Sequence, residues 1–303
     1  MQSSQEVRAM NKCDQPNKYC CPENSNRVTD ILSKELKFPE DCGSTPMYGV
    51  NRVVGGGVIE PDEFSWLVSL EYALSGGTSA ICAGAIINSL YVLTAAHCVI
   101  GNSIREMGGL KAVRFGDFSN GQKCDYGTST CQHFQRIAIE EIIVHKDYME
   151  DDRMRLLYDI SLLRLTKRIQ FTDGLKPICL PFGNNSHIVE PSADTWVTLT
   201  GWGRTSSLAD PIAKRAVSIP LWTKSRCLND TRRDESQICA GISGRGSCHG
   251  DSGGPLMHEF ENKRMVLEGI MSYGGKECAT FTSPGVCTRV RSFGDWIEIN
   301  IRM

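Results

Sequence analysis

Three well-separated residues in this sequence carry the side chains that nucleophilic catalysis requires. His97 lies in LTAAHC, Asp159 in YDISLL and Ser252 in GDSGGP. A serine hydroxyl is a poor nucleophile until a neighbouring imidazole removes its proton, and the imidazole needs a carboxylate that fixes its tautomer and stabilises its charged form. A lone histidine is usually structural and a lone aspartate usually caps or pairs, so the interpretation depends on the serine segment.

The segment GDSGGP is the most specific of the three. A serine between glycine-rich turns places its hydroxyl on a tight, exposed bend, where the backbone N–H groups of Gly250 and Ser252 converge on one point. Such a pair of donors forms an oxyanion hole, which stabilises negative charge as it develops in the transition state. We therefore predict a serine nucleophile at Ser252, assisted by His97 and Asp159.

The surrounding sequence predicts an all-β scaffold for these residues. Short apolar or alternating runs recur between Gly, Asn, Asp and Pro turn signals, namely FSWLVSLEY, YVLTAAHC, AVRFG, DISLLRL, WVTLTGWG and MVLEGIMSYGG. Regularly spaced short strands with little helix between them are typical of a barrel or sandwich. Two segments are predicted to be helical, 224–230 and 292–301, and in the second Phe293, Trp296 and Ile297 suit one buried face.

The chain changes character near residue 50. The N-terminal stretch is polar, rich in Asn, Ser, Pro and Lys, and has no apolar period that could fill a core. We predict an N-terminal pro-segment and linker over residues 1–52 and a catalytic domain over residues 53–303.

Composition narrows the class of protein further. Lys plus Arg (33) nearly balances Asp plus Glu (35), which gives no reason to expect nucleic acid or a membrane surface as a partner. No run of about 18 apolar residues is present. Fourteen cysteines without a repeated CxxC spacing favour a disulfide framework over a zinc cluster, and hence an oxidising compartment. The opening MQSSQEVRAM lacks the apolar region of a signal peptide, so we expect the native N-terminus to differ.

Together these motifs resemble the chymotrypsin/trypsin family of serine proteases. The order His, Asp, Ser along the chain matches that family and differs from subtilisins and α/β-hydrolases. The resemblance runs from Val53 to the C-terminus and rests on RVVGG, AAHC, DISLLRL, GWG, GSCHGDSGGP and SPGV. It implies two antiparallel six-stranded β-barrels and a C-terminal helix, with His97 and Asp159 supplied by the first barrel and Ser252 by the second.

The segment RVVGG is similar to the family's zymogen cleavage site. The resemblance implies cleavage after Arg52 by an upstream trypsin-like protease, which frees the amino group of Val53. That ammonium would insert into the second barrel and pair with Asp251, ordering the oxyanion loop and the substrate pocket.

The resemblance also pairs most of the cysteines. It implies the disulfides Cys42–Cys179, Cys82–Cys98, Cys227–Cys239 and Cys248–Cys278, and Cys124–Cys131 is expected as a local extra bridge. Of these, Cys42–Cys179 would keep the N-terminal segment tethered after cleavage. Cys13, Cys20 and Cys21 resemble the end of an arthropod clip domain whose first half is missing. Cys287 stands where the family usually has an aromatic residue, and either packs as a small hydrophobe or disturbs the pocket.

The substrate pocket is expected to accept apolar side chains. Trypsin-like relatives place an Asp six residues before the nucleophile, where this chain has Gly246 followed by Ser247. Without a carboxylate, a buried substrate guanidinium would stay unpaired at a cost of several kcal/mol. By resemblance, Gly274 and Gly285 form open pocket walls, and Ser272 and Gly274 pair with the substrate backbone. Tyr273 stands where the family usually has Trp.

Two Asn-X-Ser/Thr triplets, beginning at Asn184 and Asn229, are candidate glycosylation sites in a secreted protein. The loop that begins at Asp117 holds calcium in some relatives. Here it carries few further carboxylates, whereas calcium needs about six oxygen ligands. We therefore expect no metal and no cofactor.

The resemblance implies a secreted endopeptidase zymogen in an extracellular proteolytic cascade, in haemolymph immunity or clotting if the source is an arthropod. Its partners would be a protein substrate such as another zymogen, the activating protease and a serpin-type inhibitor, with no nucleic acid and no membrane. Two alternatives stay open, a protease-like adaptor that binds without cutting and a digestive chymotrypsin- or elastase-like protease. The intact catalytic residues disfavour the adaptor, and the tether at Cys42 disfavours the digestive enzyme.

Overall fold

The structure is a computed structural model that describes residues 37–45, 57–60, 62–74, 77–106, 108–116, 135–150, 156–203, 214–228, 234–242, 250–274 and 284–303. Strands dominate these residues, as the sequence predicts. In chain order they are β1 (Gly57–Val58), β2 (Leu67–Leu74), β3 (Gly77–Ile86), β4 (Tyr91–Thr94), β5 (Leu110–Phe115), β6 (Gln135–Val144), β7 (Met149–Glu150), β8 (Leu156–Leu157), β9 (Ser161–Leu165), β10 (Trp196–Gly201), β11 (Arg215–Pro220), β12 (Gln237–Ala240), β13 (Pro255–Phe260), β14 (Arg264–Tyr273) and β15 (Gly285–Arg289).

The first half of the chain closes into a six-stranded antiparallel barrel in the order β2-β3-β4-β9-β6-β5. Large apolar side chains from the predicted runs fill its interior, among them Leu70, Leu93, Phe115 and Leu162, all fully buried. Burying such side chains contributes about 1.5–3 kcal/mol each. Closure pairs each of these six strands on both sides, while β7 and β8 form a separate two-stranded sheet.

The second half forms a seven-stranded antiparallel sheet in the order β1-β11-β10-β13-β14-β15-β12. The fold class is confirmed, but this sheet differs from the predicted six-stranded barrel. The two-residue strand β1 adds at the β11 edge, where Gly57 pairs with Ala216. The ends of β11 and β12 approach each other through an isolated bridge between Leu221 and Ala240 and neighbouring backbone hydrogen bonds.

The two β-structures pack on a shared apolar core. One buried cluster includes Val68 and Leu93 of the first barrel together with Leu267 and Ile270 of the second sheet. Across the same junction the indole N–H of Trp66 contacts the sulfur of Met257 at 3.1 Å. Side chains at this junction are therefore in contact with both the first barrel and the second sheet.

The described helices are short and few: α1 (Asn102–Glu106), α2 (Lys224–Leu228) and α3 (Gly294–Asn300). Both predicted helical segments contain one. A 3-10 helix at Val290–Phe293 leads into α3, and the predicted apolar face buries Phe293 and Ile297. No helix among the described residues is long and apolar enough to cross a membrane.

Part of the predicted pro-segment is packed on the catalytic domain. Within segment 37–45, the ring of Phe38 is buried edge-on against Phe182, with ring centroids 5.8 Å apart. Backbone hydrogen bonds then run from Gly43 N to Pro177 O and from Met265 N to Gly43 O, each 2.8 Å long. The polar N-terminal stretch thus contains a short apolar anchor that its composition did not reveal.

Candidate active site

His97 and Asp159 come together at the junction between the two β-structures. His97 lies in a 3-10 turn, Ala96–Cys98, that is separated from the end of β4 by one residue, and one residue separates Asp159 from the start of β9. Nδ1 of His97 is 2.7 Å from Oδ2 of Asp159, and the His97 backbone N–H donates to Oδ1 at 2.9 Å. Because β4 and β9 are hydrogen-bonded neighbours, their pairing fixes both side chains relative to each other.

This pair is electrostatically coupled. Burial by itself lowers the pKa of His97, but the charge of Asp159 and its hydrogen bond outweigh burial and leave the pKa above its ordinary value. Burial raises the pKa of Asp159, and the contacts with His97 and Ser272 more than reverse this, so the pKa lies below its ordinary value. Asp159 is therefore an ionised acceptor, which places the proton of a neutral imidazole on Nδ1 and leaves Nε2 as a base.

Two hydroxyl groups of the second sheet hold Asp159 from the other side. Ser272 Oγ donates to Oδ2 of Asp159 at 2.5 Å, and Thr288 Oγ1 donates to the Asp159 backbone carbonyl at 2.7 Å. The sequence analysis assigned Ser272 only to the substrate backbone and did not identify Thr288. A hydroxyl spaced 113 residues from its acceptor leaves no local signal in the sequence.

Ser252 lies in a turn that is hydrogen-bonded to both the first barrel and the second sheet. Its carbonyl accepts the Ala83 N–H from β3 at 2.8 Å, and the next residue, Gly253, donates to the Met271 carbonyl of β14 at 2.8 Å. Gly253 has φ +77°, and a Cβ there would clash with the Ala83 carbonyl. Glycine is required at this point because the nucleophile turn lies directly against the first barrel.

Asp251 extends its carboxylate beneath the segment GWG. Oδ1 accepts the backbone N–H of Gly203 at 2.8 Å. A Cβ at Gly203 would overlap this carboxylate, and so would one at Gly201. The two glycines of GWG therefore make room for Asp251, a requirement that the motif alone does not reveal.

Some of the predicted pocket residues lie at strand ends in the described part of the chain. Gly274 directly follows β14 and Gly285 begins β15, with Tyr273 half-buried between Ser272 and Gly274. Gly250 precedes the nucleophile turn with φ +102°. Gly246 and Ser247 lie outside the described residues.

Cys287 packs in the core of the second sheet as a small hydrophobe. Its thiol is buried and 3.8 Å from the sulfur of Met271. Burial raises the pKa of the Cys287 thiol to about 12. The side chain is therefore neutral, and it packs among Leu199, Leu256 and their neighbours.

Three disulfides are present in the described residues, Cys42–Cys179, Cys82–Cys98 and Cys227–Cys239. The Cys82–Cys98 bridge lies beside the active-site imidazole, with Cys98 Sγ 3.6 Å from Nε2 of His97. Cys82, His97 and Cys98 bring three potential ligand atoms within 4.8 Å of one another. Since the two sulfurs are bonded to each other, they are not thiolates, and this cluster does not constitute a metal site.

Several sequence predictions concern residues outside the described part of the chain. They are the cleavage site at Arg52 and Val53, the bridges Cys124–Cys131 and Cys248–Cys278, the clip-like cysteines Cys13, Cys20 and Cys21, the calcium loop from Asp117, and the acceptor Asn229. Asn184 is described. It is partly buried, and its side-chain amide donates to the Phe38 carbonyl at 3.1 Å.

Comparison with known proteins finds a matching family and several similar proteins. The Trypsin family model matches residues 53–297. Phenoloxidase-activating factor 1 of Holotrichia diomphalia is 36% identical over 300 residues, which cover 93% of this chain and 80% of that protein. CLIP domain-containing serine protease HP8 of Bombyx mori is 36% identical over 302 residues, covering 92% and 79% respectively. Serine protease ea of Drosophila melanogaster is 33% identical over 309 residues, covering 93% and 77%.

Proposed function

Because this chain belongs to the trypsin family of serine endopeptidases and to its arthropod clip-domain members, we propose that His97, Asp159 and Ser252 are its catalytic triad. The observation that carries the proposal is the 2.7 Å contact between His97 Nδ1 and Asp159 Oδ2. With Nδ1 committed to the carboxylate, Nε2 is the basic nitrogen. It removes the Ser252 proton as the hydroxyl attacks the scissile carbonyl, and returns that proton to the leaving amine.

Negative charge then develops on the substrate oxygen. The backbone N–H groups of Gly250 and Ser252 are the proposed donors to that oxygen. The turn that carries them is held by Ala83 of β3 on one side and Met271 of β14 on the other. We propose that cleavage after Arg52 completes the ordering of these donors, and donors fixed in advance need no reorganisation during the reaction.

We propose that the chain is secreted as a zymogen and is activated by cleavage after Arg52. The freed ammonium of Val53 would pair with Asp251, whose carboxylate lies in the space left by Gly201 and Gly203. Since Asp251 is adjacent to Ser252, this pairing would order the oxyanion loop and the substrate pocket.

The proposed specificity is for an apolar residue before the scissile bond. Gly246 offers no carboxylate for a basic side chain, and Gly274 and Gly285 bear no side chain that would close the pocket. The buried, neutral thiol of Cys287 adds no charge.

The biological role that the relatives support is a step in an extracellular protease cascade of innate immunity or clotting. Three of them are named as phenoloxidase-activating proteins. We propose that this chain cleaves a protein such as another zymogen, and that an upstream trypsin-like protease and a serpin-type inhibitor act on it. The segment packed at Phe38 and Cys42 favours this role over a digestive one, because it would keep the N-terminal region on the enzyme after cleavage.

The test is a peptide assay on chain that has been cleaved after Arg52 with trace trypsin, followed by inhibition of the trypsin. Substrates carry Phe, Leu, Val, Ala, Glu or Arg before the scissile bond, and a Ser252→Ala protein treated in the same way is the control. Hydrolysis of the Phe or Leu peptide that needs both the cleavage and Ser252 supports the proposal.

Other outcomes would redirect the interpretation. Strong Ser252-dependent hydrolysis of the Arg peptide would overturn the apolar pocket but keep the triad. A folded, correctly cleaved chain without any activity would overturn the proposed enzymatic activity. It would favour an adaptor that binds without cutting.

A further inference from the structure

Asp159 is preceded by a residue in an unusual backbone conformation. Tyr158 has φ +52°, in the left-handed region that bulky side chains rarely adopt. Its carbonyl accepts the N–H of Ile160 at 2.8 Å, two residues further along. The chain therefore makes a three-residue turn from Tyr158 to Ile160 with Asp159 at its centre, and the conformation of Tyr158 sets the direction in which the Asp159 side chain leaves the backbone.

The ring of Tyr158 lies in an aromatic cluster that we call the aromatic clamp, made of His145, Tyr158, Phe293 and Trp296. His145 and Tyr158 are stacked, with ring centroids 5.2 Å apart and planes inclined by 12°. The edge of Phe293 meets both rings at 5.3 and 6.1 Å, and Trp296 lies 5.2 Å from His145. Stacked and edge-to-face aromatic pairs stabilise a fold beyond the effect of the apolar area that they bury.

The clamp joins parts of the chain that are distant in sequence. His145 directly follows β6, and its backbone N–H donates to the Ile160 carbonyl at 3.2 Å. Phe293 ends the 3-10 helix Val290–Phe293, and Trp296 belongs to α3. The turn at Tyr158 is thus held from one side by β6 and from the other by the C-terminal helix.

His145 is suited to packing as a neutral ring. Its Nδ1 accepts the N–H of Asp147 at 3.3 Å, which requires an unprotonated Nδ1. Burial lowers the pKa of His145, with Asp147 opposing and Lys146 adding to this effect. A neutral imidazole stacks on the Tyr158 ring without a buried charge.

From this arrangement we infer that Tyr158 is a positioning residue for Asp159, and that the aromatic clamp holds its strained turn in the conformation that brings the carboxylate to His97. The inference rests on the proposed catalytic function. The three hydrogen bonds that Asp159 accepts on its carboxylate depend on the backbone direction set at Tyr158. A shift of about 1 Å in such a group is enough to reduce turnover by about a hundredfold.

The experiment compares two substitutions in the chain cleaved after Arg52. Tyr158→Asn keeps a residue that tolerates the left-handed conformation but removes the ring, whereas Tyr158→Phe keeps the ring and removes the hydroxyl. We expect the Asn variant to lower kcat by about tenfold or more with KM within about twofold, and the Phe variant to stay within about twofold of the native protein. Phe260→Ala is the matched control, because Phe260 also packs on two histidine rings but lies in the second sheet, away from Asp159.

A second readout separates positioning from a general loss of stability. Since Asp159 raises the pKa of His97, a displaced carboxylate lets that pKa fall. We expect Tyr158→Asn to lower the His97 pKa, both in the acidic limb of kcat/KM and by NMR in a Ser252→Ala background. The NMR measurement needs no activity, so it stands apart from the test of the triad.

An Asn variant with native kcat and an unchanged His97 pKa would overturn the inference, and so would a Phe variant as impaired as the Asn variant. If Tyr158→Asn does not fold, Trp296→Leu weakens the clamp from α3 without changing the strained residue. It should then shift the His97 pKa in the same direction, and an unshifted pKa would contradict the clamp. If the native chain, cleaved after Arg52, hydrolysed peptides no faster than its Ser252→Ala variant, the triad itself would be refuted.

Discussion

Ser272 donates its hydroxyl hydrogen to the same oxygen of Asp159 that faces the His97 imidazole. The Ser272 Oγ to Asp159 Oδ2 distance is 2.5 Å and the His97 Nδ1 to Oδ2 distance is 2.7 Å. Because Ser272 belongs to β14 of the second sheet and Asp159 precedes β9 of the first barrel, this oxygen ties the two β-structures together at the proposed catalytic centre. The buried carboxylate is thereby solvated by protein donors in place of water.

Removing this hydroxyl is expected to impair both function and stability. Ser272→Ala leaves a buried carboxylate with one donor fewer, so we expect kcat/KM to fall by about threefold to tenfold and the free energy of unfolding to fall by about 1–3 kcal/mol. Peptide hydrolysis and denaturant unfolding measure the two effects.

Ser69→Ala is the matched control. Ser69 is a fully buried serine of β2 whose hydroxyl has no hydrogen-bond partner among the described residues. Removing the Ser69 hydroxyl should leave kcat/KM unchanged and lower the free energy of unfolding only slightly. Equal losses for the two variants would contradict a specific role for the Ser272 hydroxyl.

Activity should depend on pH through His97. The mechanism needs an unprotonated Nε2, and the pKa of His97 lies above its ordinary value of 6.5. The acidic limb of kcat/KM is therefore expected above pH 6.5, with activity lost as the pH falls through it. Asp159→Asn removes the charge that raises this pKa, so the limb should move to lower pH while kcat falls by about four orders of magnitude. An unshifted limb in Asp159→Asn would mean that another group controls it.

The sequence predicted the scaffold and the reacting groups more fully than the groups that hold them. The strand runs, the C-terminal helix and the family resemblance are confirmed, because apolar periodicity and glycine-rich motifs are local signals. By contrast, Thr288 and Ser272 reach Asp159 through packing between elements more than 100 residues apart. The sequence also did not predict β1, the edge strand of the seven-stranded sheet. Its two residues, Gly57–Val58, are too few to show an alternation of apolar and polar side chains.

A buried ionic pair should contribute more to stability than an exposed one nearby. Arg291 donates two hydrogen bonds of 2.8 Å to Glu268, whose side chain is only 1% exposed. Burial raises the pKa of Glu268, and the contacts with His258 and Arg291 more than offset it, leaving the pKa below its ordinary value. We expect Arg291→Met to lower the free energy of unfolding by about 3–5 kcal/mol, because the buried Glu268 carboxylate then loses its guanidinium partner and keeps the His258 imidazole.

Arg289 supplies the comparison for Arg291. It lies two residues before Arg291 and pairs with Glu190, and in this pair the side chains are 31% and 40% exposed. Arg289→Met should therefore cost at most about 1 kcal/mol. Denaturant unfolding without reductant compares the two variants. A similar cost for both would mean that the Glu268 charge is relieved by other groups once Arg291 is gone.

The N-terminal segment should remain bound to the catalytic domain even without its disulfide. Besides the Cys42–Cys179 bridge, the segment buries Phe38 and exchanges backbone hydrogen bonds through Gly43. A buried Phe side chain contributes about 1.5–3 kcal/mol, and each hydrogen bond about 1 kcal/mol. We expect a Cys42→Ser/Cys179→Ser double variant, once cleaved after Arg52, to keep both pieces together in native size-exclusion chromatography at micromolar concentration.

Adding Phe38→Ala to the double variant tests which contact retains the segment. The apolar anchor is then lost while the backbone hydrogen bonds remain, so we expect the two pieces to separate on the same column. Ile238→Ala in the same background is the control, since Ile238 is partly buried in a separate apolar cluster of the second sheet that contains neither Phe38 nor Cys42. Immediate separation in the double variant alone would show that the disulfide, and not the packing of Phe38, holds the N-terminal region on the enzyme.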